Sequence, residues 1–296
     1  IKKLGITNFV FHDEYINLLE IGINTATKLS TVSPTYKEEL KYEYYGKNLT
    51  YTLLNRERDF YGILNGISSS LNPDTDKLIH TKYNTNSIEL KLENKRYLQK
   101  IMNLPIQDHT MVIGMVSRIV EQKGFELILH CMDSILSNFD IQFILLGTGD
   151  ENLTNELRKL EERYPTKVKL NIGYDSANPN TIYAGSDVFM MPSRFEPCGL
   201  GQMIALRYGT LPLVRSTGGL ADTVTKYDHI TKKGNGFKFY NYDANDLKNS
   251  ILYAYDTFKN HKDIWSILQK RAMKTNNTLK KSARKYVEFY RAIAEN

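Results

Sequence analysis

The sequence predicts an α/β fold organised around a parallel β-sheet. Two observations favour this class. Four short apolar runs, at residues 111–116, 141–146, 168–172 and 188–191, have the length and composition of buried strands. Apolar residues at helical spacing follow the loops after the first and the last of these runs. Strands that alternate with helices in this way are typical of βαβ units.

The composition indicates a soluble globular protein. The 296 residues suffice for a large core and two structural units. Hydrophobic residues make up 41% of the chain and charged residues 24%, which are ordinary proportions. The formal charge of +6 is scattered along the chain, which argues against a nucleic-acid partner. No apolar run approaches the roughly 20 residues of a membrane-spanning helix, so we expect no membrane partner.

The two cysteines lie in different contexts. Cys131 falls on a predicted helix and Cys198 in a glycine-containing loop. We therefore expect no structural disulfide and a reducing compartment, the cytoplasm.

The loop after residues 111–116 contains two cationic side chains, Arg118 and Lys123. In an open α/β sheet, the loops at the carboxyl ends of the strands face the ligand crevice. Two cations there could hold a diphosphate, arginine as a planar fork and lysine as a point charge. Taken alone, the pair also fits two solvated loop residues.

The loop after residues 188–191 contains one carboxylate, Glu196, followed by Cys198 and Gly199. A helical spacing of apolar residues begins at Leu200. The free N–H groups at the start of a helix favour a phosphate. Glu196 is therefore expected to lie beside a bound anion.

A further strand, predicted at 211–214, leads to a second glycine-bearing turn, Thr217-Gly218-Gly219, before another helix. Its backbone donors are expected to face the same crevice. By contrast, the sequence Gly-Thr-Gly-Asp at 147–150 lacks the third glycine of a dinucleotide fingerprint. We expect no NAD, and we expect these glycines to permit a tight turn near the ligand.

Asp74 and Asp76 form an Asp-x-Asp pair, a pattern that can hold a metal ion through two carboxylates. Here the pair lies in a turn rich in proline and asparagine, with no buried strand before it. Solvated turn residues are therefore the favoured interpretation. We expect no metal site.

Several short motifs occur in an order that identifies a family. They are SRIVEQKG at 117–124, FEPCGL at 195–200, RYGT at 207–210 and TGGLADTV at 217–224. Together they closely resemble the bacterial glycogen synthase and plant starch synthase family. The resemblance implies the GT-B fold of two Rossmann-like domains. It also implies transfer of glucose from ADP-glucose to the non-reducing end of an α-1,4-glucan, with retention at the anomeric carbon.

The resemblance also assigns roles to individual residues. Arg118 and Lys123 would bind the diphosphate, and Glu196 would orient the donor glucose and favour positive charge on its ring. Tyr174 would place its ring against the nucleotide base. Substrate contacts are further expected from Cys198, Gly199, Leu200, Thr217, Gly218, Gly219 and, at the domain junction, Asn65. No cofactor and no metal are implied.

Three parts of the chain are distinguished by the same resemblance. Residues 1–62 correspond to the tail of an N-terminal, acceptor-side domain whose larger part is missing. Residues 63–274 correspond to the Rossmann-like domain that binds the nucleotide sugar. Residues 275–296 correspond to a helix that crosses back to the first domain, so the missing domain of the same protein is an expected partner. The fragment alone is expected to be inactive.

Two other functions stay open at this point. A transferase that uses a UDP-sugar would keep the charged residues and change the base contacts. A non-catalytic glucan- or nucleotide-binding fragment would keep the fold without the chemistry. Ile204 stands eight positions after Glu196, where many other retaining GT-B enzymes have a second glutamate, and this favours the glycogen synthase branch. The expected compartment is the bacterial cytoplasm, or the plastid for a plant-type homologue.

Overall fold

The computed structural model describes residues 11–12, 15–173 and 178–295. The N-terminal part contains β1 (Phe11–His12), β2 (Tyr15–Ile16), α1 (Leu18–Thr25), β3 (Leu29–Thr31), α2 (Pro34–Glu39), α3 (Glu43–Gly46), α4 (Thr50–Asn55) and β4 (Phe60–Gly62). The remainder contains α5 (Lys91–Ile101), β5 (Met111–Val116), α6 (Phe125–Asn138), β6 (Ile141–Gly147), α7 (Glu151–Arg163), β7 (Val168–Ile172), α8 (Pro179–Gly185), β8 (Val188–Met191), α9 (Gly201–Arg207), β9 (Leu211–Arg215), α10 (Gly218–Thr223), β10 (Phe237–Phe239), α11 (Ala244–Asn260), α12 (Lys262–Met273) and α13 (Leu279–Ala294).

Six of these strands form one parallel sheet in the order β10-β9-β8-β5-β6-β7. The chain builds outward from β5 to one side through β6 and β7, and then returns to β8 on the other side. The order therefore reverses between β5 and β8. Ligands of open α/β sheets bind at such a reversal, outside the carboxyl ends of the strands.

Strands buried on both faces form the centre of the core. Ile113, Phe143 and Val188, on three of the strands, are 0% exposed, and helices such as α6 and α11 cover the sheet. Such runs have no polar alternation because neither face meets water. At one end of this core Trp265 is stacked on Phe237, with ring centroids 6.0 Å apart.

The N-terminal part has its own small sheet, in which β3 pairs with β4 in parallel. Ser33 caps α2, since its side chain accepts a hydrogen bond from the backbone N–H of Tyr36, and Pro34 occupies the first turn. The C-terminal helix α13 contacts this sheet through an edge-to-face pair of Phe289 and Tyr61. The N–H of Ile67 donates to the carbonyl of Asn277, which ties the entry of α13 to the segment after β4.

The sequence located most strands of the main sheet correctly. The predicted runs 111–116, 168–172 and 188–191 coincide with β5, β7 and β8. The sequence Gly62-Ile63-Leu64-Asn65-Gly66-Ile67 favours a short strand followed by a turn, but the strand in this region, β4, covers Phe60–Gly62 and ends where the predicted strand begins. The α/β class with a parallel sheet is confirmed. No helix of the described residues is long and apolar enough to cross a membrane.

One turn differs from its prediction. Asp74 is exposed, as expected of a turn, but Asp76 is buried at 6% exposure. Its carboxylate accepts hydrogen bonds from the Tyr208 hydroxyl at 2.5 Å and the Asn180 amide at 2.8 Å. The interpretation of Asp76 as a solvated residue was therefore wrong, because distant partners from α8 and the end of α9 compensate its burial.

Candidate active site

A small cleft lies at the strand-order reversal, at the carboxyl ends of β5 and β8. Its volume is about 200 Å³. Both charged loops predicted from the sequence line it. The lining residues include Arg118, Lys123, Ser193, Glu196, Gly199 and Leu200. The fold thus brings Arg118 and Leu200, which are 82 positions apart in the sequence, into the same cleft.

Glu196 and Lys123 form an ion pair in this cleft. Nζ of Lys123 lies 2.6 Å from Oε2 of Glu196, and both side chains are largely buried. The Ser193 hydroxyl donates to the same oxygen at 3.0 Å. A buried carboxylate needs such donors to offset the loss of water. The two groups predicted for different roles are therefore in direct contact.

Arg118 differs from Lys123 in its environment. It is exposed, and its guanidinium makes no hydrogen bond or ion pair within the described part of the chain. An unpaired guanidinium beside a cleft remains free to bind an anion with two parallel N–H donors.

A set of contacts, here called the loop clamp, holds the Lys123 loop against the Glu196 loop. The backbone carbonyl of Gln122 accepts from the N–H of Arg194 at 2.8 Å, and its side-chain amide donates to the carbonyl of Phe195 at 3.1 Å. The Arg194 guanidinium also lies 2.8 Å from Glu121. These bonds fix the spacing at which the ion pair forms.

Gly124 permits the close approach of these two loops. Its φ angle is +78°, and a Cβ there would lie 2.2 Å from the carbonyl oxygen of Pro192. Any larger residue would both adopt an unfavourable backbone conformation and push the loops apart. Gly124 was predicted only as part of the SRIVEQKG motif, and the close approach of Pro192 explains why this position requires glycine.

The loop after Glu196 presents backbone groups to the cleft. Gly199 has a φ of +68° and Leu200 is half-exposed. The Gln202 side chain donates to the carbonyls of Cys198 and Gly199, which fixes the backbone of this loop beside the cleft. Burial raises the pKa of the Cys198 thiol, partly offset by a hydrogen bond from the Asn65 backbone. Cys198 is therefore a neutral packing residue, and Asn65 lies beside it.

The turn at Thr217, Gly218 and Gly219 is engaged differently from what the sequence predicted. The Thr217 hydroxyl and the Gly218 N–H donate to the carboxylate of Glu39, at 2.8 and 3.0 Å. The Gly219 N–H donates to the carbonyl of Glu196 at 3.1 Å. A direct contact of these donors with a diphosphate would therefore require both partners to move.

Tyr174, predicted to contact a nucleotide base, lies outside the described residues. Three side chains at the site were not singled out from the sequence: Ser193, Gln122 and Glu39. Ser193 offered one signal, a small polar residue two positions after a buried strand. Gln122 lies within the SRIVEQKG motif but was assigned no role of its own. Glu39 offered no signal, because its partners are distant in the chain and a glutamate on a helix is common.

Comparison with known proteins places the chain in a family. A profile for group 1 glycosyl transferases matches residues 99–271, more than half of the chain. The chain belongs to this glycosyl transferase family. A profile described as the starch synthase catalytic domain matches residues 2–55.

The individual relatives include bacterial glycogen synthases. A glycogen synthase of Thermotoga petrophila is 47% identical over 294 residues, covering 97% of this chain and 60% of the relative. One from Clostridium novyi is 45% identical over 290 residues, covering 96% of this chain and 59% of the relative. The resemblance to bacterial glycogen synthases and plant starch synthases is confirmed. The chain spans about 60% of the length of these relatives.

A solved structure supports the same conclusion. The catalytic domain of Starch Synthase IV from Arabidopsis thaliana, bound to ADP and acarbose, superposes with a TM-score of 0.88 at 36% identity. The match covers 95% of this chain and 58% of that one. A glycosyltransferase from Rickettsia africae, 19% identical with a TM-score of 0.69, shares the fold. The GT-B class is confirmed.

Proposed function

We propose that this chain forms the nucleotide-sugar-binding part of a retaining glucosyltransferase, which transfers glucose from ADP-glucose to the non-reducing end of an α-1,4-glucan. The contact between Lys123 and Glu196 at the strand-order reversal carries the proposal. This contact places one cation and one carboxylate where the diphosphate and the glucose of a sugar nucleotide would be joined. The similarity to glycogen synthases and to a starch synthase bound to ADP supports the choice of substrates.

The diphosphate would be held by Arg118 and Lys123. As the bond from the anomeric carbon to the diphosphate breaks, negative charge grows on the leaving oxygen, and fixed cations stabilise it. Arg118 is free to turn toward this group. Lys123 already binds Glu196, so the diphosphate would share the ammonium group with the carboxylate. The backbone N–H groups near Gly199 and Leu200 are the next donors along the lining.

Glu196 would act on the sugar. A carboxylate favours the positive charge that develops on the glucose ring as the leaving group departs. The acceptor 4-hydroxyl then forms the new bond to the anomeric carbon, and its proton leaves with the diphosphate or to water. Glu196 is the only acidic residue in the described lining of the cleft. The proposal therefore assigns one carboxylate to this chain and no second one.

Neither a cofactor nor a metal enters the proposal. Among the residues that the structure describes, no three His, Cys, Asp or Glu side chains converge to hold a metal ion. The base of the donor and its contact with Tyr174 also belong to the proposal. The cytoplasm, or a plastid, is the compartment in which glucan substrates of this kind would be met.

Exposed apolar side chains indicate where a further domain would pack. Exposed apolar side chains occur on the N-terminal part and on α13: Leu18, Leu19, Tyr42, Tyr44, Tyr51, Leu54, Tyr61, Leu279, Val287 and Tyr290. Within α13, Ser282 is the one buried residue that the structure describes. A helix that contacts the small sheet through Phe289 and leaves most of its other side chains exposed is typical of one that awaits a further partner. We propose the acceptor-side domain as that partner.

The test is a transfer assay with the longest natural protein that contains this chain. Radiolabelled ADP-glucose and UDP-glucose are each offered with glycogen as the acceptor. We expect incorporation from ADP-glucose at a kcat/KM at least tenfold above that from UDP-glucose. The reverse preference would support the UDP-sugar alternative. Nucleotide binding without transfer from either donor would support a non-catalytic protein.

A further inference from the structure

Two carboxylates, one on each side, join α2 to α10. Glu39 of α2 accepts hydrogen bonds from the Thr217 hydroxyl and the Gly218 N–H, at 2.8 and 3.0 Å. In return, Asp222 of α10 accepts from the Ser33 hydroxyl at 2.7 Å and from Thr35. We call this set of bonds the interlock. It connects residues 178 to 189 positions apart in the sequence.

The turn held by Glu39 lies directly against the backbone of Glu196. A Cβ at Gly218 would be 2.0 Å from the carbonyl oxygen of Glu196, so the two backbones are in tight contact. The next N–H, that of Gly219, donates to the Glu196 carbonyl at 3.1 Å and to that of Pro197 at 3.2 Å. The interlock therefore continues to the backbone of Glu196, the residue that bears the candidate catalytic carboxylate.

We infer that Glu39 is a positioning residue: it braces the Gly218–Gly219 turn, and the turn in turn holds the backbone of Glu196 in its active position. The inference rests on the proposed function of Glu196. Two successive glycines form the softest point of this connection, since glycine has the widest choice of backbone conformations. A charge-assisted pair of hydrogen bonds to that point restricts it more than a neutral bond would.

The hydrogen bonds of Glu39 also join two different parts of the chain. Glu39 belongs to the N-terminal part of the chain, whereas Glu196 lies in the loop after β8 of the six-stranded sheet. A displacement of α2 relative to the sheet would stretch the bonds of Glu39 to Thr217 and Gly218 together with those of Asp222 to Ser33 and Thr35. The geometry of Glu196 is thereby coupled to the seating of α2, and transfer would be fastest when α2 is fully docked.

The first experiment compares three variants of the longest natural protein containing this chain. Glu39→Ala removes the brace, Glu39→Gln keeps an acceptor oxygen, and Glu38→Ala changes the exposed neighbour, which pairs only with lysines of its own part of the chain. We expect Glu39→Ala to lower kcat about tenfold with KM for ADP-glucose changed less than twofold. Glu39→Gln should recover to within about threefold of the parent, and Glu38→Ala should equal it.

A double variant separates positioning from general loss of structure. If Glu39 acts through Glu196, then Glu39→Ala should change kcat less than twofold when Glu196→Gln is already present. A further tenfold loss in that background would overturn the inference. So would a full kcat for Glu39→Ala in a protein whose Glu196→Gln variant is impaired.

Hydrogen exchange provides a readout independent of activity. In the 296-residue chain, Glu39→Ala should speed exchange of the amides in 217–220 at least tenfold, while those of β5 and β6 stay protected. Unchanged exchange at 217–220 would contradict the brace itself. If the parent protein transfers no glucose but exchange at 217–220 is still faster in the variant, the proposed function is wrong and the contact made by Glu39 is not.

Discussion

Lys123 and Ser193 both bind Oε2 of Glu196, so the carboxylate has a fixed direction before any substrate arrives. A side chain held by two donors loses little further freedom on reaching the transition state. This is the kind of preorganisation that makes a single charge effective in a water-poor site. When a diphosphate is bound, however, Lys123 must interact with both the diphosphate and the Glu196 carboxylate.

We expect Glu196→Gln to reduce turnover about a hundredfold, equivalent to about 3 kcal/mol of transition-state stabilisation. The affinity for ADP should stay within about threefold, because in the proposed function the carboxylate acts on the sugar. Turnover is measured with the longest natural protein that contains the chain, and ADP binding by calorimetry. Glu156→Gln, an exposed change on α7, serves as the control. Equal losses in ADP affinity and in rate would show that Glu196 acts on the nucleotide.

Asp76 illustrates a prediction that follows from the structure and not from the sequence. Its burial and its bonds to Tyr208 and Asn180 mean that Asp76→Ala leaves polar partners unsatisfied. We expect the free energy of unfolding to fall by about 1–3 kcal/mol, measured by urea denaturation. Asp74→Ala, at the exposed position, should change stability by less than about 0.5 kcal/mol.

The Asp74→Ala variant also tests the expected absence of a metal. ADP binding should be unchanged by a chelator and by Asp74→Ala, since the proposed function assigns the diphosphate to Arg118 and Lys123. Chelator-sensitive binding would contradict this, and would direct attention to carboxylates outside the described residues.

At the scale of elements, the strands were predictable because a parallel strand buried on both faces is a short, continuous apolar run. β5, β7 and β8 coincide with such runs. The sequence around β4 has no such run, and its strand was placed too late, since only three residues pair there. Pairing of this kind depends on a partner strand about 30 residues away, which local pattern does not reveal.

For the site, sequence motifs predicted which loops meet, because strand ends in a parallel sheet share one edge. They did not predict which donors would be occupied. The Thr217–Gly219 turn has the signature of an anion site, yet Glu39 and the Glu196 carbonyl use its donors. Competition between a ligand and a distant side chain becomes visible only in three dimensions.

For the whole molecule, pH should act on stability through Lys91. This side chain is 5% exposed and donates to the carbonyls of Tyr183 and Ala184 and to the Thr210 hydroxyl. Burial lowers the pKa of Lys91 from 10.5 to about 7, with Asp187 opposing the shift. Below pH 7 the amine is charged in both folded and unfolded chains, so the full cost of burying the charge is present.

Between pH 7 and 10.5 the folded chain releases this proton while the unfolded chain keeps it. Stability should therefore rise with pH, by at most about 1.4 kcal/mol per pH unit. The measurement is urea unfolding at pH 7, 8 and 9, with Lys91→Met as the control that removes the titrating group. A constant difference in stability between the parent chain and this variant across that range would contradict the assignment.

The final prediction concerns activity of the 296-residue chain by itself. Catalysis between two domains requires both walls of the cleft, since closure excludes water and aligns the acceptor. The chain spans about 60% of its relatives, and its cleft is lined from one side. We expect weak binding of ADP and no transfer of glucose to glycogen. Transfer by this chain at rates comparable with an intact synthase would show that the site is already complete.

Trp265 provides an optical reporter for these experiments. It is the only tryptophan of the sequence, it is 6% exposed, and it packs between Phe237 and Phe258, away from the cleft lining. Its fluorescence emission should therefore change when the six-stranded sheet unfolds and stay constant when a nucleotide binds. Residues 1–62 contain tyrosines but no tryptophan, so an unfolding step that changes tyrosine emission alone would reveal separate melting of that part of the chain.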